Sequence, residues 1–187
     1  PMAKLFFRYA AMNAGKSTAL LQVAHNYEER GHRVRIFTAR LDDRYGHGVV
    51  TSRLGPQREV EQFDEHTDFV ALMDATPGIA CILVDEAQFL SKPQVVQLHE
   101  MAHLRNLPAI CYGLRTDFQG ELFPGSATLL ALADEMDEMK TICDCGRKAT
   151  MNMRVDANNR KVTQGAQVEI GGNARYRSVC GRCFRQG

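Results

Sequence analysis

Apolar positions recur along this chain in two alternating patterns. Leu5, Phe6, Phe7 and Tyr9 form a short β-prone run that breaks into small residues, after which Leu20, Val23, Ala24 and Tyr27 repeat at the spacing of one helix face as far as Gly31. Val34, Ile36 and Thr38 alternate as a second strand, and the polar, Gly- and Pro-containing stretch from Arg40 to Gln57 predicts a long loop. Helical spacing returns over Thr67 to Ala75. The run Ile79 to Val84 is apolar almost throughout, which suits a strand covered on both faces. Ser91 ahead of Pro93 marks the start of a helix reaching to Asn106. Pro108 to Tyr112 predicts another buried strand, and Ser126 to Glu138 another helix with Leu129, Leu130, Leu132, Ala133 and Met136 to bury. Strands alternating with helices predict an α/β fold, a mostly parallel sheet flanked by helices.

From Lys140 onward the pattern changes to short β-prone pieces with a turn signal at Asp156-Ala157-Asn158-Asn159, the pair Gly171-Gly172, and four of the six cysteines. The change predicts a larger α/β domain over residues 1–139 and a small β module over 140–187. Within 187 residues, 44% apolar and 24% charged positions exclude disordered, collagenous and coiled-coil classes. Lys and Arg number 23 against 22 Asp and Glu, a net charge of +1, which supplies no overall field for a nucleic-acid backbone. The longest aliphatic run, Ile79 to Val84, is far short of a membrane span, and Lys4, Arg8 and Lys16 interrupt any signal-like start. A cytoplasmic location is therefore expected, where cysteines serve as thiols or metal ligands rather than disulfides.

The stretch Ala10-Ala11-Met12-Asn13-Ala14-Gly15-Lys16-Ser17-Thr18 lies between the first strand and first helix and fits the phosphate-loop (P-loop) pattern G-x-x-x-x-G-K-S/T, with Ala10 at the first Gly. A tight loop of this kind turns backbone N–H groups toward phosphate oxygens, Lys16 adds a point charge, and Ser17 reaches Mg²⁺. Ala10 lacks glycine's freedom at positive φ, so its backbone is expected in an ordinary region. The Ile79–Val84 strand delivers Asp85 and Glu86 at its carboxyl end, where open α/β sheets bind ligands. Asp85 is expected on the metal and Glu86 is free to accept a proton from an attacking oxygen. No Asn-Lys-x-Asp guanine-reading motif occurs, which favours ATP.

Cys143-x-Cys145 and Cys180-x-x-Cys183 offer four thiolates for a tetrahedral structural Zn²⁺, and four cysteines leave no open catalytic position. Cys81 and Cys111 sit in apolar strands as core residues. His99-Glu100-Met101-Ala102-His103 matches the metalloprotease pattern H-E-x-x-H, but no third ligand is evident, and two histidines beside a buried stripe of Val95, Leu98 and Ala102 account for it. His25, His32, His47 and His66 are expected to be exposed.

Ala-Met-Asn-Ala-Gly-Lys-Ser-Thr at 11–18, Leu-Asp-Asp-Arg-Tyr at 41–45, Val-Asp-Glu-Ala-Gln-Phe at 84–89, Tyr-Gly-Leu-Arg-Thr-Asp-Phe at 112–118 and Ile-Gly-Gly-Asn-Ala-Arg-Tyr at 170–176 resemble the type II thymidine kinases, the bacterial members most closely. With the four cysteines the resemblance covers nearly the whole chain in the right order. It implies a RecA-like P-loop sheet with a small C-terminal zinc-binding β module carrying a lasso loop. It also implies transfer of the ATP γ-phosphoryl group to the 5′-hydroxyl of thymidine, and of deoxyuridine. Carried over, Lys16 and Ser17 are the phosphate-loop lysine and Mg²⁺ ligand, Asp85 the second metal-side acid and Glu86 the base. Asp42 and Arg44 face the phosphates, with Arg44 stabilising transition-state charge, and Gln88 belongs to the nucleotide-contact motif. Met12, Leu114, Phe118, Phe123 and Tyr176 surround the nucleoside, while the backbone of Glu169, Ile170, Gly171 and Gly172 reads the thymine edge. Zinc in this scheme serves specificity, so its loss is expected to loosen substrate binding rather than touch phosphoryl transfer directly. The resemblance further implies a homotetramer and feedback inhibition by dTTP.

The same phosphate-side residues suit a P-loop ATPase whose zinc ribbon binds nucleic acid, with Glu86 activating water. The small size, the +1 charge and the scattering of Arg147, Lys148, Arg175, Arg177 and Arg182 without interleaved aromatics oppose that alternative, so neither a nucleic-acid nor a membrane partner is expected. A zinc-bound adaptor with a dead phosphate loop is the third reading, favoured only if Ala10 disables nucleotide binding.

Overall fold

The computed structural model describes residues 2–12, 14–40, 49–51, 57–168 and 175–187. In chain order the first half contains β1 (Leu5–Ala10), α1 (Lys16–Glu29), β2 (Arg33–Ala39), β3 (Val49–Thr51), β4 (Gln57–Glu59), β5 (Glu61–Phe63), α2 (Phe69–Ala75) and β6 (Ile79–Val84). A 3-10 turn at Ala87–Phe89 leads to α3 (Lys92–Arg105), β7 (Ala109–Leu114), α4 (Pro124–Leu132) and β8 (Glu135–Glu138). Six strands form one sheet in the order β5-β2-β6-β7-β1-β8, each neighbouring pair parallel. One strand, β7, thus separates β1 from β6, the arrangement expected of a RecA-like sheet.

Two-residue alternation divides the apolar side chains of these strands between the faces. Ile36, Cys81, Leu83, Ile110 and Tyr112 pack with Leu20 and Ala24 of α1. Phe7, Phe37, Ile82, Val84, Ala109 and Cys111 point the other way, against Phe69 of α2, Val95, Leu98 and Met101 of α3 and Leu129 of α4. Because both faces are covered, the central strands read as continuous apolar runs. Burial pushes the Cys81 thiol up to about 12 and the Cys111 thiol upward as well, as befits inert core residues.

Local signals set the helix ends. Ser91 and Gln94 form a capping box, with Ser91 Oγ accepting from Gln94 N–H and Gln94 Oε1 accepting from Ser91 N–H. Asp68 caps α2 by accepting from Ala71 N–H at 3.0 Å.

Two expectations need correction. The predicted helix from Ser126 to Glu138 ends at Leu132, Ala133 is extended (φ −60°, ψ 136°), and Glu135–Glu138 is an edge strand whose Met136 is exposed rather than buried. The reason is non-local: β1 has an open edge, and Asp134 N–H donates to Leu5 O while Met139 N–H donates to Tyr9 O, satisfying it. Likewise the stretch predicted as one long loop carries β3, which pairs antiparallel with β4, and just beyond it β5 lies parallel to β2.

The C-terminal residues build a second, antiparallel sheet, β10-β9-β11, from β9 (Met151–Val155), β10 (Lys161–Val162) and β11 (Arg175–Val179), followed by α5 (Gly181–Gln186). Asp156 Oδ1 accepts from the N–H groups of Asn158 and Arg160, and Asn159 takes φ 61°, making the turn read from the sequence. Its core is small: Cys143, Ala149, Met153, Val155, Val179, Cys180 and Phe184.

Candidate active site

The carboxyl ends of β1, β7 and β6 converge on one cavity of about 370 Å³. From β1, Ala10 is the buried last residue of the strand and does not have positive φ, so glycine is not required there. The conformational demand falls on Gly15, which sits at φ 81° and opens α1 without a side-chain cap. The first N–H groups of α1 are thereby left for an anion. Lys16 turns back over this loop with Nζ 3.3 Å from Ala11 O. Its ammonium is held below the usual lysine range by burial, which the nearby Asp85 and Glu86 carboxylates oppose.

Strand β6 delivers the acids. Ser17 Oγ donates to Asp85 Oδ2 at 3.0 Å, and Glu86 N–H donates to Asp85 Oδ1 at 2.9 Å. Asp85 is nonetheless pushed up by burial, which those two bonds and the nearby Lys16 ammonium oppose. Glu86 turns the chain at φ 53°, ψ 41°, a left-handed conformation that costs a non-glycine residue about 1–3 kcal/mol. Burial first, and then the Asp85 charge, raise its carboxyl to about 7, with the Thr38 hydroxyl donating to Oε1 at 3.4 Å in partial compensation.

The rest of the wall is apolar and aromatic side chains with a few polar groups among them. Met12, Leu114, Phe118, Phe123 and Tyr176 line the cavity together with Lys16, Ser17, Asp85, Glu86 and Gln88, so residues scattered over 165 positions share one space. Ala10 at the end of β1, Ala11, Ala14 and Gly15 in the loop, and Thr18 in α1 do not line the cavity. Gln88 is buried and accepts from Leu114 N–H at 3.1 Å, an approach that needs Gly113, where a Cβ would lie 2.8 Å from Gln88 Oε1. Asn13, Asp42, Arg44, Glu169, Ile170, Gly171 and Gly172 lie outside the described residues, as does His47.

The sequence assigns no role to several further lining residues, although Phe89, Thr116 and Asp117 fall within segments that carry the resemblance. Phe89, Thr116, Asp117, Asn152, Gln167 and Val168 all face the cavity. Asp117 Oδ2 accepts from Gln167 Nε2 at 2.9 Å, and Asn152 Nδ2 donates to Thr116 O at 2.9 Å. Arg154 is 1% exposed, stacks 3.7 Å from the Phe118 ring centroid, and donates through Nε to the Tyr176 hydroxyl at 3.0 Å, fixing both rings from behind. Asn152 and Arg154 share one face of β9 and both are buried, a placement that no local pattern announces.

The second sheet also grips the first loop. Met12 N–H donates to Asn152 Oδ1 at 2.8 Å, and Ser178 Oγ donates to Met12 O. Behind it, one sulfur from each of Cys143, Cys145, Cys180 and Cys183 lies within 4.8 Å of the others, and none is in a disulfide. Cys145 and Cys180 sulfurs are 3.6 Å apart, close to the ~3.8 Å edge of a tetrahedron with metal–sulfur bonds of about 2.3 Å. Backbone donors from Cys145 and Cys180 lower the Cys143 thiol to about 6 and the Cys183 N–H lowers Cys180, whereas the hydrogen bonds with Cys180, Cys143 and Cys145 push the Cys183 thiol up to about 12.

A family model described as thymidine kinase matches residues 3–184. Among curated proteins, the thymidine kinase of Chromobacterium violaceum is 62% identical over 183 residues, covering 98% of both chains. That of Agrobacterium fabrum is 56% identical over 97% of this chain and 95% of its own. The thymidine kinase of Shewanella oneidensis is 52% identical over 99% of this chain and 98% of its own.

Proposed function

The chain belongs to the thymidine kinase family, and from that premise we propose that it transfers the γ-phosphoryl group of ATP to the 5′-hydroxyl of thymidine, and of deoxyuridine, in pyrimidine deoxynucleotide salvage. The observation that carries the proposal is the division of one cavity into a charged end, Lys16, Ser17, Asp85 and Glu86, and an apolar end walled by Leu114, Phe118, Phe123 and Tyr176. A phosphate chain belongs at the first and a nucleoside at the second, with the reacting hydroxyl between them.

In this reading the loop N–H groups ahead of α1 and the Lys16 ammonium balance the phosphate charges. Ser17 and Asp85, paired at 3.0 Å, would hold Mg²⁺ as the oxygen donors that ion takes, and the ion would supply neutralisation at the phosphate oxygens. As the thymidine 5′-oxygen bonds to the γ-phosphorus and the bond to the ADP oxygen breaks, the hydroxyl proton passes to Glu86. Asp42 and Arg44 complete the phosphate side, and the backbone of Glu169 to Gly172 reads the base edge. The four cysteines would hold a structural Zn²⁺. A division into 1–139 and 140–187, a homotetramer, inhibition by dTTP and a cytoplasmic location complete the proposal; among the described residues no helix is long and apolar enough to cross a membrane.

The test is ATP consumption with Mg²⁺, first alone and then with thymidine, deoxyuridine, deoxycytidine or single-stranded DNA. Turnover that needs thymidine or deoxyuridine supports the assignment. Turnover stimulated by DNA and indifferent to thymidine replaces it with a nucleic-acid ATPase.

A further inference from the structure

Away from the cavity, the last turns of α3 place His99 and His103 on one face, ring centroids 4.5 Å apart. Asp134, in the step from α4 to β8, meets them: His103 Nε2 lies 2.9 and 2.8 Å from its two oxygens. One ligand atom from each residue falls within 4.8 Å of the others. Leu5 N–H donates to Asp134 Oδ2 at 2.8 Å, which steadies the carboxylate from the sheet side. We propose that His99, His103 and Asp134 form a surface site for a divalent transition-metal ion, with water completing the coordination. Two imidazole nitrogens and a carboxylate suit Zn²⁺, Ni²⁺ or Cu²⁺, not the all-oxygen shell of Mg²⁺. In the free protein His103 and Asp134 form a hydrogen-bonded pair at 2.8 Å, and an ion would take the place of the shared proton. Asp134 is the third ligand that the H-E-x-x-H spacing alone did not reveal. Glu100 is exposed, and His99, His103 and Asp134 line neither the cavity described above nor the smaller cleft around Arg35 and Arg58, so no substrate site among the described residues accompanies the protease pattern. A bound ion would clip α3 and the α4–β8 step to the start of β1, at the opposite end of that strand from the loop of Lys16.

Calorimetric Zn²⁺ titration tests this on the whole chain and on His99→Ala/His103→Ala. The double variant is expected to bind one equivalent fewer, and Asp134→Asn to bind that equivalent at least tenfold more weakly. Cu²⁺ held by the unaltered chain should show coupling to two imidazole nitrogens in its paramagnetic resonance spectrum, which the double variant loses. Equal stoichiometry in the two proteins, with equal melting temperatures before titration, overturns the site.

A different observation concerns the cavity and rests on the thymidine kinase reading. Thr116 is 8% exposed and lines the cavity, and its Oγ1 is buried with no hydrogen-bond partner among the described residues. Its backbone is held on both sides, by Asn152 Nδ2 on its carbonyl and by the bridge to Leu122, which fixes the residue at the cavity wall. A buried polar atom left unpaired is a cost to the free protein that a ligand can remove. We infer that Thr116 Oγ1 hydrogen-bonds a polar atom of the nucleoside and contributes to its selection. Thr116→Val keeps the shape and removes the hydroxyl. It is expected to raise the melting temperature of the free enzyme while raising KM for thymidine about fivefold to a hundredfold, with Thr116→Ser restoring KM. An unchanged KM in an active Thr116→Val enzyme overturns the inference, whereas absence of thymidine-dependent turnover in the unaltered enzyme overturns the kinase reading instead.

Discussion

Backbone and side chain at Glu86 are both held away from their ordinary states. The left-handed turn aims the carboxyl into the cavity, and burial with the neighbouring Asp85 raises it to about 7. A base must be unprotonated, so kcat/KM for thymidine should climb as pH rises through about 7 and level above it. Glu86→Gln should lower kcat by about 10²–10⁴ and erase that acid limb, as rate profiles between pH 5 and 9 would reveal. Thr38→Val removes a donor that favours the charged form, so its limb should move to higher pH. Retention of the limb in Glu86→Gln would assign the proton to another group.

Among elements, the informative contacts are those that hold one segment from another. Met12 is gripped by β9 through Asn152 and by β11 through Ser178. Ser178→Ala, which leaves the cavity lining intact, is expected to raise KM for ATP about fivefold, the effect of one hydrogen bond worth ~1 kcal/mol, with kcat little changed in steady-state kinetics. Gly125 marks a second close approach: α4 rests on the 3-10 turn, and a Cβ there would lie 2.4 Å from Ala87 O and 2.8 Å from the carbonyls of Gln88 and Leu90. Backbone cannot yield as a flexible side chain can, so Gly125→Ala should cost about 1–3 kcal/mol or more, read as a melting temperature lowered by several degrees.

Across the whole molecule, the second sheet has a seven-residue buried cluster that includes two of its cysteines. A core of that size needs a staple, and the cysteine cluster supplies the ligands for one. Chelation should therefore raise amide exchange in β9 and β11 while β1, β6 and β7 stay protected. Because both of those strands hold Met12, metal removal should raise KM for ATP as well as for thymidine. This departs from the expectation that zinc serves nucleoside specificity alone, and an effect confined to thymidine would restore it.

Legibility in the sequence followed the range of the interactions. Periodicity read most of the central strands, capping residues placed the start of α3, and the spacing around Lys16, Asp85 and the cysteines picked out the chemistry, because each is decided within a few residues. The same pattern picked out Gly15 by position, while its positive φ was seen only in the structure. Glu135–Glu138 could not be read locally: its strand exists only because β1 offers an open edge 130 residues earlier in the chain. Nor could Asn152, Arg154, Thr116 or the pairing of Asp134 with His103, whose partners are distant in sequence. Local order in the chain was enough to pick out Gly15-Lys16-Ser17, the acidic pair and the thiol set. Tertiary structure alone decided which buried polar groups are satisfied and which elements steady the site, because hydrogen bonds in a dry interior depend on what the fold brings within three ångströms.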